Sequence, residues 1–578
     1  MKIFFTRNLA ALAAFLVVVV SPAFCFTYSP TQVSEKRIFS RCVTQPSEEA
    51  IKSLTADPSI SGGTELVVLN SDGKRVSSLR GVLSLPLGEN SEDIERSAKS
   101  WLYDHAQLFN LPNQRSDEVV QLKCVREANA THLVYGMSVN GIPVHESLID
   151  VHIGNDRRVM LANGSFPTIR EVTNQMTMEK ETAIAAGERL LNGKGYRGKA
   201  LADLVIFPEK SGTARVGWLV RLPLVQPLGD WELVIDAETG AELSRRNQMM
   251  FSTRENPKDP KDPKDPEKPN GRGAVYLKHP LVSSVTVELL YHLASQSLEG
   301  PFAKVCNESG PVACSPENTH VYAPDDTHFD EVNIYYHMNV MHDFYRSMGF
   351  KRLDYPMDAI VHYGTKFDNA GFSPMTNTIF FGDGNKFNSL AKEESICYHE
   401  YSHAALQAII SIPYWSEAGA INEGQADYFA CSFSQDPILG EYVVQKAGLP
   451  WLRNLTDNLH YPEDIKNEVH ADGAIWGVIL WDLRTALGAS IADLLIHKSF
   501  FFIKASSPKF LDGMNGILVA DESLYAGAHK TAILEVFGKR GVSKAAEGAA
   551  FTGKELLTMI SFDKLHEKAI VNRSKSTR

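Results

Sequence analysis

Residues 397–403 read CYHEYSH, a run in which two histidines stand four positions apart. In a helix, His399 and His403 share one face, so both imidazoles can bind the same Zn²⁺ ion. A zinc ion with an open coordination position lowers the pKa of bound water toward about 7 and needs a nearby carboxylate to carry the proton. The motif therefore predicts metal-assisted hydrolysis with Glu400 as general base. The alternative is a pair of histidines on a solvated helix face.

A second motif supplies a third ligand and a supporting carboxylate. Residues 420–427 read AINEGQAD, and in a helix Glu423 and Asp427 lie one turn apart on the same face. We expect Glu423 to complete a site for one catalytic Zn²⁺. We expect Asp427 to accept the other ring N–H of His399, which fixes the tautomer of that ligand. Taken alone, Asp427 could also be an ordinary surface acid.

The segment 399–427 resembles, without a gap, the corresponding segment of the thermolysin family of secreted zinc endopeptidases. This resemblance implies the same three zinc ligands and the same general base as the spacing does. It also implies that Tyr414 hydrogen-bonds the oxyanion that develops during peptide hydrolysis. A tyrosine between proline and tryptophan would otherwise be expected to pack.

Two downstream motifs resemble further catalytic groups of this family. His470 lies in EVHADG at 468–473, before an apolar run that predicts a buried helix, and the resemblance implies that it stabilises the transition state. Arg453 lies in LRNLTD at 452–457, and the resemblance implies that its guanidinium binds a substrate carbonyl. On the residues alone, His470 could be a helix-start histidine without a role and Arg453 a solvated charge.

The chain departs from the thermolysin pattern at the residue that supports this histidine. Ile465 stands five residues before His470, where thermolysin has an aspartate. Either Asp464 or Glu468 would have to substitute, or no residue does.

A second departure concerns calcium. Ser395 and Ser434 occupy positions that match calcium-binding carboxylates of thermolysin. Calcium sites favour several carboxylate and carbonyl oxygens, and hydroxyl groups alone are poor substitutes. Ca²⁺ is therefore not implied.

An upstream segment resembles the substrate-binding edge strand of the family. Residues 368–370 read DNA, and residues 378–384 read TIFFGDG. An extended peptide can add to such an edge as a further strand. The resemblance implies that Asn369 and Ala370 contact the substrate, although the same residues could belong to a strand core.

The composition is that of a globular protein. The 578 residues are 44% hydrophobic and 22% charged, which excludes wholesale disorder. The formal net charge of -11 gives no support for nucleic-acid binding, which requires a basic domain or stripe.

The N-terminus has the outline of a secretory signal. Residues 1–25 begin with Lys2 and Arg7, continue through an apolar stretch at 9–20 and end in SPAFC. This segment predicts export to the extracellular space or the periplasm. No later segment has the unbroken apolar length of a stable membrane span.

A Lys-Asp-Pro repeat divides the exported chain, because proline at that density forms an extended linker. The parts before it resemble the propeptide modules of the thermolysin and fungalysin families, the second being PepSY-like. The resemblance implies an intramolecular inhibitor and folding chaperone. We predict a signal peptide at 1–25, propeptide modules at 26–165 and 166–254, the linker at 255–270, a catalytic N-lobe at 271–410 and a helical C-lobe at 411–578.

Residues 510–521 and 536–541 look more like fungalysin than thermolysin, so the resemblance spans nearly the whole exported chain. It implies an α+β fold with two catalytic lobes, one of mixed strands and helices and one helical, with the zinc helix between them. The α+β propeptide modules precede these lobes. We expect Arg245, Arg246 and the linker to be exposed, polar places for processing.

These observations predict a secreted zinc metalloendopeptidase, made as a zymogen, that cuts internal peptide bonds of proteins. Two alternatives stay open. One is a catalytically silent exported protein whose front modules inhibit or chaperone another protease. The other is a zinc hydrolase that acts on a non-protein amide. Retention of Glu400 and His470 argues against the silent protein, because a structural zinc site needs neither.

Overall fold

The computed structural model describes residues 64–69, 76–112, 118–209, 211–251, 271–503, 506–542 and 560–561. The predicted signal peptide and linker lie outside these described residues. Within them, no helix has the length and apolar character required to cross a bilayer.

Most of the described chain before the linker is antiparallel β-sheet. Thr213–Gln226 is mostly buried, with adjacent residues buried together, which is typical of a strand covered on both faces by other elements. The strands are β1 Thr64–Leu69, β2 Val76–Gly81, β3 Val119–Arg126, β4 Ala130–Val139, β5 Ile142–Gly154, β6 Val159–Asn163, β7 Glu171–Val172, β8 Lys194–Tyr196, β9 Leu201–Pro208, β10 Thr213–Gln226, β11 Gly229–Asp236, β12 Glu242–Asn247 and β13 Met250–Phe251. The helices are α1 Ser91–Asp104, α2 Ala106–Phe109 and α3 Lys180–Leu191.

One continuous sheet joins the two segments predicted as propeptide modules. Its main path runs β12-β11-β10-β9-β5-β6-β2-β1 and ends on β23, Ile560–Ser561. The segments meet where β5 pairs in parallel with β9, through Val144 and Ile206. One hydrophobic cluster covers the first segment and extends into the second, and another lies wholly within the second.

The chain after the linker forms a lobe of strands and helices followed by a helical lobe. The strands are β14 Gly271–Tyr276, β15 Val285–Leu290, β16 Ala303–Asn307, β17 Thr319–His320, β18 Met357–Val361, β19 Ala370–Ser373, β20 Thr378–Phe381, β21 Ile438–Leu439 and β22 Arg453–Asn454. The helices are α4 Thr327–Ser347, α5 Glu394–Ile409, α6 Ser416–Ser434, α7 Glu441–Gln445, α8 Val469–Leu487, α9 Ala489–Ser499, α10 Phe510–Tyr525 and α11 Lys530–Lys539, with a 3₁₀ turn at Leu390–Lys392. The protein is therefore α+β, as the sequence predicts.

Helix α5 lies between the two lobes. It packs against β19 and α4 of the first lobe and against α6 of the helical lobe. Nearly all of its side chains are buried, which is typical of a helix in the centre of a large domain. The catalytic sheet beside it has the order β13-β19-β20-β18-β16, so its outermost strand comes from the chain before the linker.

Helices α6 and α8 cross at glycines. A Cβ atom on Gly424 would lie 2.3 Å from the carbonyl oxygen of Gly473, and one on Gly473 would lie 2.6 Å from Cβ of Glu423. Only residues without side chains permit this backbone approach. The crossing brings Glu423 on α6 close to the start of α8, where His470 lies.

Candidate active site

Helix α5 places two imidazoles against each other. The Nε2 atoms of His399 and His403 lie 3.0 Å apart, and both side chains are fully buried. Glu423 reaches the same point from α6. Its Oε2 lies 3.4 Å from His399 Nε2, and its Oε1 lies 3.5 Å from His403 Nε2. The structure thus brings together the three predicted ligands, with one donor atom from each lying within 4.8 Å of the others.

The other nitrogen of each histidine faces an acceptor. Nδ1 of His399 lies 2.8 Å from Asp427 Oδ1, as the motif predicts. Nδ1 of His403 lies 2.8 Å from Oδ1 of Asn422, a residue that sequence reasoning missed. A search for an acceptor near each ligand histidine would have identified it, since metal-bound imidazoles commonly donate their second N–H. With an acceptor oxygen 2.8 Å from each Nδ1 atom, two Nε2 atoms and one carboxylate converge, a donor set that fits Zn²⁺.

Arg453 and Asp427 form a buried ion pair behind His399. Arg453 donates from Nε to Asp427 Oδ2 at 2.6 Å and from Nη2 to Oδ1 at 2.7 Å. Burial alone would raise the pKa of Asp427, but the charge of Arg453 and the contact with His399 together lower it. The carboxylate is therefore held ionised beside the imidazole. The role of Arg453 in binding a substrate carbonyl stays a prediction.

Three further predicted catalytic residues surround this cluster. Glu400 is fully buried on α5, one residue after His399. Tyr414 lies just before α6, and its hydroxyl donates to Glu423 Oε1. His470, on the first turn of α8, has its Nε2 at 3.7 Å from Glu423 Oε2. The site therefore combines a buried carboxylate with two donors that approach from the helical lobe.

Glu468 is the carboxylate that holds His470. Its Oε1 lies 2.8 Å from His470 Nδ1, and its Oε2 accepts from Ala471 N at 2.9 Å, which caps α8. The hydrogen bond from His470 lowers the pKa of Glu468 to about 2. Asp464 instead accepts from His460 N at 2.8 Å, and Ile465 packs against the hydrophobic core. Of the alternatives that the sequence leaves open, the structure selects Glu468.

The substitution Glu468→Gln is expected to lower kcat for peptide hydrolysis while leaving KM nearly unchanged. Removing an oxyanion donor outright costs about 10²- to 10³-fold, so misorienting one through loss of its charged partner should cost about tenfold. Glutamine keeps a carbonyl oxygen for the helix cap. Steady-state kinetics with a fluorogenic peptide measure the change. Asp464→Asn is the matched control, and equal losses in the two variants would contradict the positioning role.

The two substrate-binding residues predicted upstream, Asn369 and Ala370, lie at the start of β19 in the catalytic sheet. Ala370 begins β19, which pairs antiparallel with β20, and its backbone N–H donates to Asn369 Oδ1 at 3.0 Å. The carbonyl oxygen of Asn369 accepts from Gly382 N at 2.9 Å. Both residues are buried in the intact chain. Their contact with substrate stays a prediction.

Known metallopeptidases resemble the chain over this region. A sequence profile of the fungalysin metallopeptidases (M36) matches residues 365–546, and one of the thermolysin metallopeptidase catalytic domain matches residues 290–407. The two matched ranges share residues 365–407, which include His399 and His403.

Relatives that match most of this chain extend the similarity beyond the catalytic region. Bacillolysin of Bacillus subtilis is 23% identical over 472 residues, covering 76% of this chain and 87% of the relative. A zinc metalloproteinase of Listeria monocytogenes is 24% identical over 453 residues, covering 72% of this chain and 86% of the relative. Among solved structures, the precursor of protealysin from Serratia proteamaculans matches with a TM-score of 0.38 and 18% identity, covering 44% of this chain and 91% of that one.

Proposed function

Because the chain is a zinc metallopeptidase of the thermolysin and fungalysin type, we propose that it is a secreted endopeptidase, made as a zymogen, that hydrolyses internal peptide bonds of proteins. One observation carries the catalytic assignment. His399, His403 and Glu423 converge in a buried site whose two imidazoles are each oriented through Nδ1. Bound there, Zn²⁺ would polarise the peptide carbonyl and lower the pKa of a water molecule.

The residues around the metal site have different roles in hydrolysis. Glu400 takes a proton from the attacking water and delivers it to the leaving amine. Tyr414 and His470 donate hydrogen bonds to the carbonyl oxygen as it gains negative charge. In a protonated His470 both ring nitrogens are donors, so Nδ1–H binds Glu468 and Nε2–H is available to the oxyanion.

Contacts across the linker support the zymogen part of the proposal. Lys123 Nζ donates to the carbonyl oxygen of Ile409, the last residue of α5, at 3.0 Å. Arg352 donates to the carbonyl oxygen of Ala408 at 3.1 Å and pairs with Glu127 at 3.2 Å. The predicted propeptide module at 26–165 therefore contacts the end of the zinc helix α5, where an intramolecular chaperone or inhibitor would act. The predicted signal peptide supports export to the extracellular space or the periplasm.

Peptides are favoured over other amides as substrates. Strand β19, beside the site, is paired with β20 and with β13, and after loss of the chain before the linker its backbone could pair with an extended peptide. A small non-protein amide would gain nothing from such an edge.

Removing the metal is expected to abolish casein hydrolysis by the processed protein, and adding Zn²⁺ is expected to restore it. The reason is that no other described group at the site can polarise the carbonyl as a Lewis acid does. Activity and bound zinc are measured in parallel before chelation, after chelation and after zinc is returned. Stoichiometric zinc with no casein hydrolysis, after confirmed cleavage in the linker, would reject the proposal in favour of a silent protein or a different amide substrate.

A further inference from the structure

Asp472 is a carboxylate of the motif EVHADG that the proposed mechanism does not use. It lies on the first turn of α8, two residues after His470, and is only 3% exposed. A carboxylate withdrawn from water requires hydrogen-bond donors, because burial of an unpaired charge is costly. The donors that surround Asp472 come from the loop that precedes the helix.

This loop, residues 455–468, joins β22 to α8 without helix or strand. Its last residues contact Asp472 through their backbone, and Lys466 N donates to Asp472 Oδ1 at 2.6 Å. Burial raises the pKa of Asp472, and hydrogen bonds from the backbone amides of residues 466–468 oppose that rise. The carboxylate therefore binds the backbone turn on which Glu468 lies.

The first turn of α8 is held in place by the crossing with α6. Gly473 follows Asp472, and a Cβ atom there would lie 2.6 Å from Cβ of Glu423. Contact this close leaves no room for either helix to shift toward the other. Asp472 thus connects the loop to the part of α8 that packs against a predicted zinc ligand.

Glu468 extends this connection to the imidazole of His470. Its Oε1 lies 2.8 Å from His470 Nδ1, and its Oε2 accepts from Ala471 N at 2.9 Å. The backbone before Glu468 turns at Asn467, whose φ of 58° lies in the left-handed region that asparagine tolerates. A different turn here would move the carboxylate that orients the ring, whose Nε2 lies 3.7 Å from Glu423 Oε2.

We propose that Asp472 is a positioning residue for peptide hydrolysis, which holds the turn at 466–468 so that Glu468 keeps His470 directed at the oxyanion. This inference rests on the proposed function. Asp472 does not touch the substrate and acts through His470. Its removal therefore lowers kcat when His470 is present and has no effect on kcat when His470 is absent.

Kinetics of the processed enzyme with a fluorogenic peptide test the proposal, with kcat normalised to bound zinc so that unfolded molecules do not count. Asp472→Ala should lower kcat by about tenfold with KM nearly unchanged, since misplacing an oxyanion donor costs less than the 10²- to 10³-fold loss of about one whole donor. Asp472→Asn keeps an oxygen that can accept from Lys466 N, so its kcat should stay within about threefold of the unsubstituted enzyme. Asp472→Ser, too short to reach that amide, replaces the alanine variant if the latter does not fold.

A double-mutant cycle separates positioning from general loosening of the lobe. In the His470→Ala enzyme, Asp472→Ala should change kcat by less than about twofold, because effects of residues that act through one group are not additive. Asp521→Ala is the matched control, since Asp521 is also a buried carboxylate that accepts from a loop amide, His529 N at 2.9 Å. A tenfold loss that persists without His470, or that the control reproduces, would overturn the proposal.

Hydrogen exchange tests the structural step without any activity. It is measured on the full chain carrying Glu400→Gln, which does not process itself. Asp472→Ala should raise the exchange rate of the amides at 466–468 by at least about tenfold, because hydrogen bonds to a carboxylate are lost. Equal exchange with and without Asp472 would overturn the inference on its own. Inactivity of the unsubstituted, processed enzyme with bound zinc would instead reject the proposed function.

Discussion

Glu400→Gln is expected to reduce kcat/KM for casein-derived peptides by about 10²- to 10⁴-fold, the usual contribution of a general acid–base group. Glutamine has nearly the same shape as glutamate but cannot accept and return a proton. Zinc content should stay at one ion per chain, since Glu400 is not among the three converging ligands. Kinetics with a fluorogenic peptide and zinc analysis of the same preparation measure both quantities.

A second buried glutamate on α5 provides the matched control. Burial, together with the neighbouring charge of Glu393, raises the pKa of Glu394 to about 8. Its carboxyl group is therefore largely neutral at pH 7, and Glu394→Gln should change activity little. Comparable activity of Glu400→Gln and the unsubstituted enzyme would contradict the mechanism.

Acidification is expected to weaken the attachment of the first module to the helical lobe. His132 on β4 and His152 on β5 are buried with their Nδ1 atoms 2.9 Å apart. Phe502, in the chain after α9, covers both rings, with centroids 5.0 Å from His132 and 5.6 Å from His152. The backbone of Phe502 also accepts from Asn163 Nδ2 at 3.0 Å. This histidine pair therefore lies in the interface.

The surroundings of the pair oppose protonation. Burial, reinforced by the charges of Arg352, Lys123 and Lys498, lowers the pKa of His132 to about 3. Burial and the neighbouring His132 lower the pKa of His152 well below its ordinary value. The carboxylates near these cations are already engaged. Glu127 pairs with Arg352 at 3.2 Å and with Lys498 at 3.7 Å, and Asp150 faces Lys123.

The sign of the effect follows from the two pKa values of each ring. Separation of the module exposes both histidines to water, where their pKa is about 6.5. A pKa that is lower in the attached state favours attachment fully above pH 6.5, and this contribution falls as the pH drops toward 3. Each ring weakens attachment by up to about tenfold per pH unit, and the pair by up to about 100-fold.

The dissociation constant of a nicked chain measures this dependence. A specific protease site is introduced into the Lys-Asp-Pro repeat of the Glu400→Gln chain, and the affinity between the two pieces is determined at pH 7.5 and pH 5. Replacing both interface histidines by leucine should flatten the difference. His145→Leu is the control, because burial also lowers the pKa of His145, to about 4, yet its ring stacks within the front modules on Phe207. A pH dependence that survives the double substitution would contradict the prediction.

The metal site was predictable because its residues are close in sequence and helices have a fixed period. Two short motifs predict that His399, His403, Glu423 and Asp427 share one region, and the structure places them together. The partner of His470 was not predictable in this way. Asp464, Ile465 and Glu468 all precede it closely, and the choice depends on the backbone turn at Asn467, which has a φ of 58°.

Strands β12 and β13 were not predictable from local sequence patterns, because they form by pairing with other strands. The sequence predicts Arg245 and Arg246 as an exposed processing site. In the structure Arg245 is exposed and Arg246 is half-buried, and both lie in β12, paired with Leu233 and Glu232 of β11. Cleavage at this pair stays a prediction, and the alternation of Glu242–Asn247 is too weak to predict the strand. Strand β13 has only two residues, and no sequence period can indicate so short an element. Its position depends on β19, more than 100 residues away.

The hydrophobic core around the zinc helix includes Ala130, Leu161 and Met250, all of which precede the linker. An enzyme from which the chain before the linker has been cleaved keeps a fold that its remaining chain did not form alone. Its lifetime outside the cell would then depend on how slowly it unfolds, since an unfolded molecule could no longer recover the missing part of its interior. Each molecule would in that case fold once, and maturation would remove its means of folding again.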